Sequence, residues 1–308
     1  MVRDITVPGT KKKVLGAEVS VTAYNEYPVQ LEIPELGFEI LVPNCDPMDP
    51  YIRVGDAITK PVAVLPRSDV TVDAEGIVEE IPESLTRACP NSDSSPLDHF
   101  LRQYLHGEPA TVFVRGRKLD SPDTPQWIGE LTSSITVPVP FPGRSFDSLI
   151  RNFSLSDVDF TLPDPLADPD DDDANPKVSG TIEVLAALPK ELNFDLNVTK
   201  IKSTADVLYK KRKFGELNLA HWQPANSTRT EATNGTEALL KIQSWVKDAP
   251  LNITGGDVFT AVMQALIFGG KNVVLDIDAA VDVKVRTVLG TLILKDVPAQ
   301  GKIPVKRR

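Results

Sequence analysis

Residues 15–28 read Leu-Gly-Ala-Glu-Val-Ser-Val-Thr-Ala-Tyr-Asn-Glu-Tyr-Pro. Over residues 15–22 apolar and polar side chains alternate, which is the two-residue period of a half-buried β-strand. Pro28 cannot donate a hydrogen bond to a β-ladder, so the strand is expected to bend or end there. Further short runs of this kind, separated by turn residues, follow along the chain. The pattern predicts a β-sandwich.

The second half of the chain repeats the landmarks of the first half. These landmarks are Pro28 and Pro189, Gly55 and Gly215, and Gly107 and Gly269, each pair about 160 residues apart. In each half a strand-like run passes a proline and reaches a glycine. It later meets one short apolar helix that ends at glycine and leads into another strand. A tandem repeat of one β-rich module is the simplest explanation.

Length and composition agree with two folded domains. The chain has 308 residues, 41% of them hydrophobic, and 26 prolines, which favours a loop-rich β protein over a helical bundle or a disordered chain. The prediction is an all-β protein of two tandem immunoglobulin- or fibronectin-like sandwiches, each with one short α-helix. The first sandwich is placed at residues 13–120 and the second at residues 151–308.

Residues 121–150 form a Pro-rich connector in this division. They include the run Val-Pro-Val-Pro-Phe-Pro-Gly at residues 137–143, whose alternate prolines predict an extended path. A stiff connector or an edge strand is favoured over a recognition segment.

Two amphipathic segments interrupt the strands. Ser95, Pro96 and Asp98 have the residue types and spacing of a helix start with a capping box, and Thr254 with Asp257 can start the second helix. Each helix either completes a core or leaves a groove for an acyl chain or sterol between the sheets. The groove candidates are Phe100, Leu101 and Tyr104 on the first helix and Phe259, Val262, Met263 and Leu266 on the second helix.

The cysteine count suggests one disulfide. Cys45 and Cys89 are the two cysteines of the chain, and both stand beside turn-forming residues. A bridge between them would close a loop of about 45 residues and add roughly 3 to 4 kcal/mol of stability. The alternative is two unpaired thiols that happen to lie in loops.

Five Asn-X-Ser/Thr sequons predict N-glycosylation. Their asparagines are Asn152, Asn197, Asn226, Asn234 and Asn252. A glycosylated, oxidising lumen or exterior would explain both the sequons and the cysteine pair. The chain is therefore expected in the lumen of the secretory pathway or a vacuole.

The sequence offers little for catalysis, metals or nucleic acid. The net charge of −10 argues against a nucleic-acid partner. The three histidines, His99, His106 and His221, are too few for a zinc site without carboxylates, and the acidic run at residues 170–173 lacks the spacing of a calcium loop. No metal or cofactor is expected, and we predict that the chain is not an enzyme. A carboxylate-based hydrolase is the third-ranked alternative, because 43 acidic residues allow many carboxylate pairs.

Longer patterns in the chain resemble a known family. Residues 19–78, with the break at residues 24–28, resemble a type-two late-embryogenesis-abundant (LEA) domain, a fibronectin-like sandwich with one helix. The stretches at residues 43–46, 66–70, 137–143 and 247–252 extend the likeness to the luminal region of the fungal vacuolar membrane protein family that includes yeast's terminator of autophagy. The resemblance implies tandem LEA domains on the vacuolar lumen side, tethered by a membrane helix, with lipid binding proposed for the fold.

These observations together predict a non-enzymatic luminal module of a membrane-anchored vacuolar or secretory protein. It would bind lipid or a membrane-proximal protein and could take part in regulating autophagy. No stretch of the chain has the roughly 18 to 20 uninterrupted apolar residues that span a bilayer, so the anchor is expected outside this sequence. The alternative is a purely structural or protein-interaction scaffold without a lipid cavity.

Overall fold

The computed structural model describes residues 2–6, 13–119, 124–141, 143, 150–161, 175–188, 192–231, 238–268 and 273–305. Two compact units divide the chain. The N-terminal unit comprises residues 1–144 with 190–195 and 287–290, and the C-terminal unit comprises residues 145–189, 196–286 and 291–308. The all-β prediction is confirmed, since strands dominate both units.

The N-terminal unit contains an eight-stranded sheet in the order β12-β1-β2-β7-β5-β4-β8-β9 and a small sheet of β3 and β6. Its elements are β1 (Val2–Thr6), β2 (Lys13–Tyr24), β3 (Leu31–Ile33), β4 (Gly37–Asp46), β5 (Asp49–Thr59), β6 (Val62–Val64), β7 (Asp69–Val78), α1 (Glu83–Thr86), α2 (Pro96–Leu105), β8 (Ala110–Arg117), α3 (Gln126–Ser133), β9 (Thr136–Phe141) and β12 (Leu192–Asn193). Strand β12 pairs in parallel with β1, whereas the other pairs are antiparallel.

The part of the C-terminal unit that the structure describes is a seven-stranded sheet in the order β10-β11-β15-β14-β13-β16-β17, with one helix. Its elements are β10 (Ile150–Thr161), β11 (Lys177–Leu188), β13 (Asn197–Tyr209), β14 (Arg212–Thr230), β15 (Ala238–Ile253), α4 (Gly256–Phe268), β16 (Val273–Thr287) and β17 (Gly290–Val305). Strand β14 leaves β15 between Leu217 and Ala225, where the pairing register shifts. The buried hydroxyl of Ser244 donates to the carbonyl of Pro224 at 2.9 Å in this irregular stretch.

The two sheets have the same strand order. From β1 and β2, the N-terminal sheet continues with the last strand before α2, then β5, β4, the first strand after α2, and β9. The C-terminal sheet runs from β10 and β11 through the last strand before α4, then β14, β13, the first strand after α4, and β17. By position, α4 therefore corresponds to α2. A tandem repeat of one module requires this correspondence.

The prediction of one helix per half is wrong for the N-terminal unit, whose described residues form three helices. Helix α1 is a single turn and too short to give a helical period. Helix α3 begins after Pro125 and lies within residues 121–150, which the alternate prolines of residues 137–143 predicted to be a connector. The predicted capping box of α2 is confirmed, because Asp98 N–H donates to Ser95 Oγ at 3.1 Å and Ser95 N–H donates to the Asp98 carboxylate at 2.7 Å.

Within the Pro-rich segment, Thr136–Phe141 forms β9 at the outer edge of the N-terminal sheet. Of the two interpretations left open by its composition, the edge strand is the one that the structure contains. Pro138 and Pro140 lack an N–H, so this edge offers few donors to another chain.

The hydrophobic cores of the two units differ in size. The C-terminal core joins buried residues from β10, β11, β13–β17 and α4, and its largest fully buried side chain is Phe214. In the N-terminal unit, a smaller cluster of Val42, Ile52 and Leu85 packs against Leu97 and Phe100 of α2. The C-terminal unit is therefore where burial of apolar area contributes most to stability.

Candidate functional site

Helix α4 is attached to the C-terminal sheet near its first turn. The N–H groups of Thr254 and Gly255 both donate to the carbonyl of Phe214, at 2.9 and 3.1 Å. A Cβ at position 255 would lie 2.8 Å from the carbonyl oxygen of Lys213, so only glycine permits this close approach. The chain thereby leaves β15 and enters α4 directly over the start of β14.

An ion pair reinforces the same attachment. Arg212 at the start of β14 contacts the Asp257 carboxylate at 2.5 Å. Two hydrogen bonds lower the pKa of Asp257 below its ordinary value of 3.8: the larger effect comes from Arg212 and the smaller from the Val258 N–H. The stability that the ionised Asp257 carboxylate contributes is therefore complete above its unfolded-state pKa, and it is lost as pH falls through its folded-state pKa. Both side chains are exposed, so the effect is small.

A cavity of about 60 Å³ lies beneath α4. All fifteen residues that line it are hydrophobic, and they come from seven strands and the helix. They are Leu155, Val158, Val178, Val207, Phe214, Leu217, Leu251, Phe259, Val262, Met263, Leu266, Leu275, Ile277, Ile303 and Val305. An apolar void of this size stays dry and costs about 1.4 kcal/mol of stability if left empty.

The structure brings together the four groove candidates of the second helix. Phe259, Val262, Met263 and Leu266 all line the cavity. Val262 is 3% exposed, and the ring of Phe259 stacks on Phe214 with centroids 6.2 Å apart. The helical spacing of apolar residues in the sequence thus predicted the side of α4 that lines the cavity.

The candidates of the first helix are placed differently. Phe100 packs on the small core of the N-terminal unit, and its ring centroid lies 6.1 Å from that of Phe141 in β9. Tyr104 also contacts Phe141, at 5.5 Å, and Leu101 is half-buried. These contacts join α2 to the edge strand and give Phe100 a core position.

The strand residues of the cavity wall were missed by the sequence analysis. Val207, Phe214 and Leu217 come from neighbouring strands, whereas Leu155 and Ile303 are almost 150 residues apart in sequence. A two-residue alternation in sequence does not indicate which strands are neighbours, so it could not group these residues around one cavity. The one local signal was Phe214, an aromatic residue next to the landmark Gly215.

The predicted disulfide is confirmed, with Cys45 at the end of β4 bonded to Cys89 and their Cα atoms 5.6 Å apart. His99 of α2 lies beside it, and one ligand atom from each of the three residues lies within 4.8 Å of the others. The sequence did not predict this proximity. Among the described residues, no other group of three metal-ligand types is this close. Because the thiolate is the metal-binding form, the bonded sulfurs do not make a metal site in this state.

The four predicted glycosylation sites that the structure describes are all exposed. Asn152 lies on edge strand β10, and Asn197, Asn226 and Asn252 lie on β13, β14 and β15. Asn197 accepts a hydrogen bond from Ser227 Oγ at 3.1 Å, within the next sequon. Asn234 lies outside the described residues. Exposure makes these side chains accessible to glycan attachment, which remains a prediction.

We expect protein from a eukaryotic secretory host to carry glycans at Asn152, Asn197, Asn226 and Asn252. Replacing each asparagine with glutamine should remove one step of the glycoform ladder seen by intact-mass spectrometry, since the amide of glutamine is not an acceptor. Treatment with an N-glycosidase should collapse the ladder to the mass of the polypeptide. An unchanged mass after that treatment would contradict the prediction.

None of the described helices combines the length and apolarity needed to cross a bilayer. The disulfide fits a secreted or luminal region, where thiols are oxidised.

Comparisons with known proteins add a partial family match. Residues 192–306 match the model of the Tag1 C-terminal domain, a range that covers α4 and less than half of the chain. No curated protein matches the sequence. Among solved structures, the BSP domain of a biofilm-associated protein aligns with 98% of this chain and with 62% of its own length. The sequence identity is 7% and the TM-score is 0.16, which is too low to indicate a shared fold. The domain match is consistent with membership of the fungal Tag1-like family.

Proposed function

We propose that this chain is a non-enzymatic lipid-binding module, with the cavity beneath α4 as its site. The observation that carries the proposal is the lining, in which every residue is hydrophobic. Such a lining offers no nucleophile, acid or base for catalysis, and it suits a hydrocarbon chain. An unfilled void lowers stability, whereas a bound hydrocarbon chain would offset that cost.

The cavity must enlarge to admit a chain. An apolar cavity of roughly 150 Å³ holds a benzene molecule, so 60 Å³ is too small for an alkyl chain while α4 is docked. Helix α4 is tied by hydrogen bonds and an ion pair at its first turn, whereas Phe268 at its last turn is 82% exposed. We therefore propose that the C-terminal turns of α4 move away from the sheet to enlarge the cavity, while its N-terminal turn stays attached beside the start of β14.

The biological setting follows from the resemblance and the partial family match. In this proposal the two units are copies of one LEA-like sandwich in the vacuolar or secretory lumen, held near a membrane by an anchor outside the chain. A role in autophagy regulation belongs to the same proposal. The domain match, the disulfide and the exposed sequons support it.

The test is to fill the cavity from α4. Met263 lines the cavity, whereas the next residue, Gln264, is exposed. Met263→Trp should abolish uptake of a fluorescent fatty acid, because the indole occupies the space that the chain needs. Gln264→Trp is the matched control and should bind as the wild type does. Native mass spectrometry of protein from a eukaryotic host should show a co-purifying lipid in the wild type and in the control.

Two results would contradict the proposal that lipid binds in this cavity. One is that the wild type carries no lipid and takes up no fatty acid. The other is that both tryptophan variants bind equally well, which would place the ligand outside the cavity.

A protein-interaction scaffold is the second candidate, favoured by an exposed apolar tip on the N-terminal unit. The tip patch consists of Tyr24, Tyr27, Val29 and Leu65, and Tyr27 is 69% exposed. Asn25 orders the tip by donating to the carbonyls of Leu65 and Val29 at 2.8 and 3.3 Å. An ordered apolar patch of this kind typically marks a contact surface. A photo-crosslinking residue at position 27 that captures a specific protein in cells would favour this candidate.

A further inference from the structure

The turn between β13 and β14 holds two lysines where a two-residue hairpin normally holds asparagine and glycine. Tyr209 pairs with Arg212, which makes Lys210 and Lys211 the central residues of the turn. Their φ angles are 51° and 65°, in the left-handed region that disfavours side chains such as lysine. The chain thus keeps two cations where the backbone conformation disfavours them.

These lysines belong to a run of four cations at residues 210–213, of which the last two are neutralised by neighbours. Arg212 pairs with Asp257, and Lys213 contacts Asp206 at 2.8 Å and Glu216 at 2.5 Å. The hydrogen bonds from Lys213 to these carboxylates raise its pKa. Two of the four cations in the run, Arg212 and Lys213, therefore already form ion pairs within the protein.

Lys210 and Lys211 carry the remaining charge. Both are exposed, and within the described part of the chain neither forms an ion pair. The ammonium of Lys210 lies 5.0 Å from the ring centroid of Tyr209, which packs against the C-terminal core. In a chain with a net charge of −10, this turn is a local positive site.

The turn adjoins the apolar cavity. Val207 precedes Lys210 by three residues and Phe214 follows Lys211 by three, and both line the cavity. Three strand residues span about 10 Å, so a group at the turn lies within reach of the head of an amphiphile whose chain is in the cavity.

We infer that the ligand of the C-terminal unit is an anionic amphiphile, with one hydrocarbon chain beneath α4 and a carboxylate or phosphate at Lys210 and Lys211. This inference rests on the proposed function. The two ammonium groups attract a negative head and give no such advantage to a neutral one. The equivalent turn of the N-terminal unit, between β4 and β5, is flanked by Asp46 and Asp49, so the preference belongs to the C-terminal unit.

Four variants of the chain separate charge, strain and folding. Lys210→Glu/Lys211→Glu reverses both charges. Lys210→Asn/Lys211→Gly removes the charges while supplying the residues that the turn conformation prefers, so it should fold at least as stably as the wild type. Lys200→Glu/Lys247→Glu changes the net charge by the same amount as Lys210→Glu/Lys211→Glu, at two exposed lysines elsewhere in the unit. Met263→Trp blocks the cavity.

The experiment measures dissociation constants for probes that share a palmitoyl chain: palmitate, palmitoyl lysophosphatidic acid and monopalmitoylglycerol. The wild type should bind the two anionic probes about tenfold more tightly than the neutral one, and both turn variants should lose this preference. The Lys200/Lys247 control should keep it. The palmitate and lysophosphatidic acid arms show whether the site prefers a carboxylate or a phosphate. Raising the salt concentration should weaken the binding of the two anionic probes and leave the binding of the neutral probe unchanged.

The outcomes distinguish this inference from the proposal beneath it. If all three probes bind the wild type equally and Met263→Trp abolishes binding, the cavity binds lipid and the inference about charge is wrong. The inference is also wrong if the turn variants retain the preference. If no probe binds the wild type, the proposed function fails and the inference fails with it.

Discussion

Replacing Phe214 with alanine is expected to destabilise the C-terminal unit by about 3 to 5 kcal/mol, a large part of the stability of a typical domain. The ring is 1% exposed, stacks on Phe259 of α4 and forms part of the cavity wall. Truncation would enlarge an existing void, and the sheet cannot collapse to fill it because β14 is paired on both sides. Urea unfolding should show a lower midpoint, and hydrogen exchange should accelerate in β13, β14 and β15.

Phe268→Ala provides the control for this experiment. Phe268 lies at the end of α4 and is 82% exposed, so the same truncation should cost less than about 0.5 kcal/mol. A cost below about 1 kcal/mol for Phe214→Ala would show that the ring does not organise the core as the structure indicates.

Features governed by neighbouring residues in sequence could be predicted well. The alternation over residues 15–22 lies in β2, and the capping box at Ser95 and Asp98 forms as expected. The half-buried face that the alternation predicted does not form along the whole run, because Val19 and Val21 are exposed. The stripe on α4 identified Val262 and Met263 as residues facing the sheet. In each case the deciding physics is a period or a cap, which extends over a few residues and is visible in the sequence.

Features governed by contacts across the chain could not be predicted. The cavity wall depends on which strands are neighbours, and β13 pairs with β14 on one side and with β16 on the other. A two-residue period gives the face of a residue but not the identity of the adjacent strand. His99 reaches Cys45 and Cys89 for a similar reason, since the disulfide and α2 bring distant segments together.

The duplication of the chain is visible both in the sequence and in the strand order of the two sheets. The sequence landmarks suggested duplication, and the matching order shows the same connections in both units. What differs is the filling around the corresponding helices: α2 packs on a small cluster and on β9, whereas α4 covers an apolar cavity. The two units therefore share a strand order but differ in the packing beneath the helix. We place the proposed lipid site in the C-terminal unit because the apolar cavity lies there.

Removing the disulfide should weaken the N-terminal unit by up to about 4 kcal/mol. Cys45 and Cys89 are separated by 44 residues, and a bridge that closes a loop of this length restricts the unfolded chain substantially. The small hydrophobic cluster beside it, Val42, Ile52 and Leu85, offers limited compensation. The double variant Cys45→Ala/Cys89→Ala should therefore unfold at lower urea concentration than the wild type.

The wild type treated with a thiol reductant is the matched comparison, because it loses the same bond without a change of sequence. Hydrogen exchange resolves the effect by segment: protection should fall in β4, β5 and α2, which surround the bridge, and should persist in β13 to β16, whose core residues form a separate cluster. Equal unfolding midpoints for the oxidised and reduced proteins would mean that the bridge does not constrain the unfolded chain. In that case, the small cluster and the strand ladder of the N-terminal sheet would be sufficient to hold the unit folded.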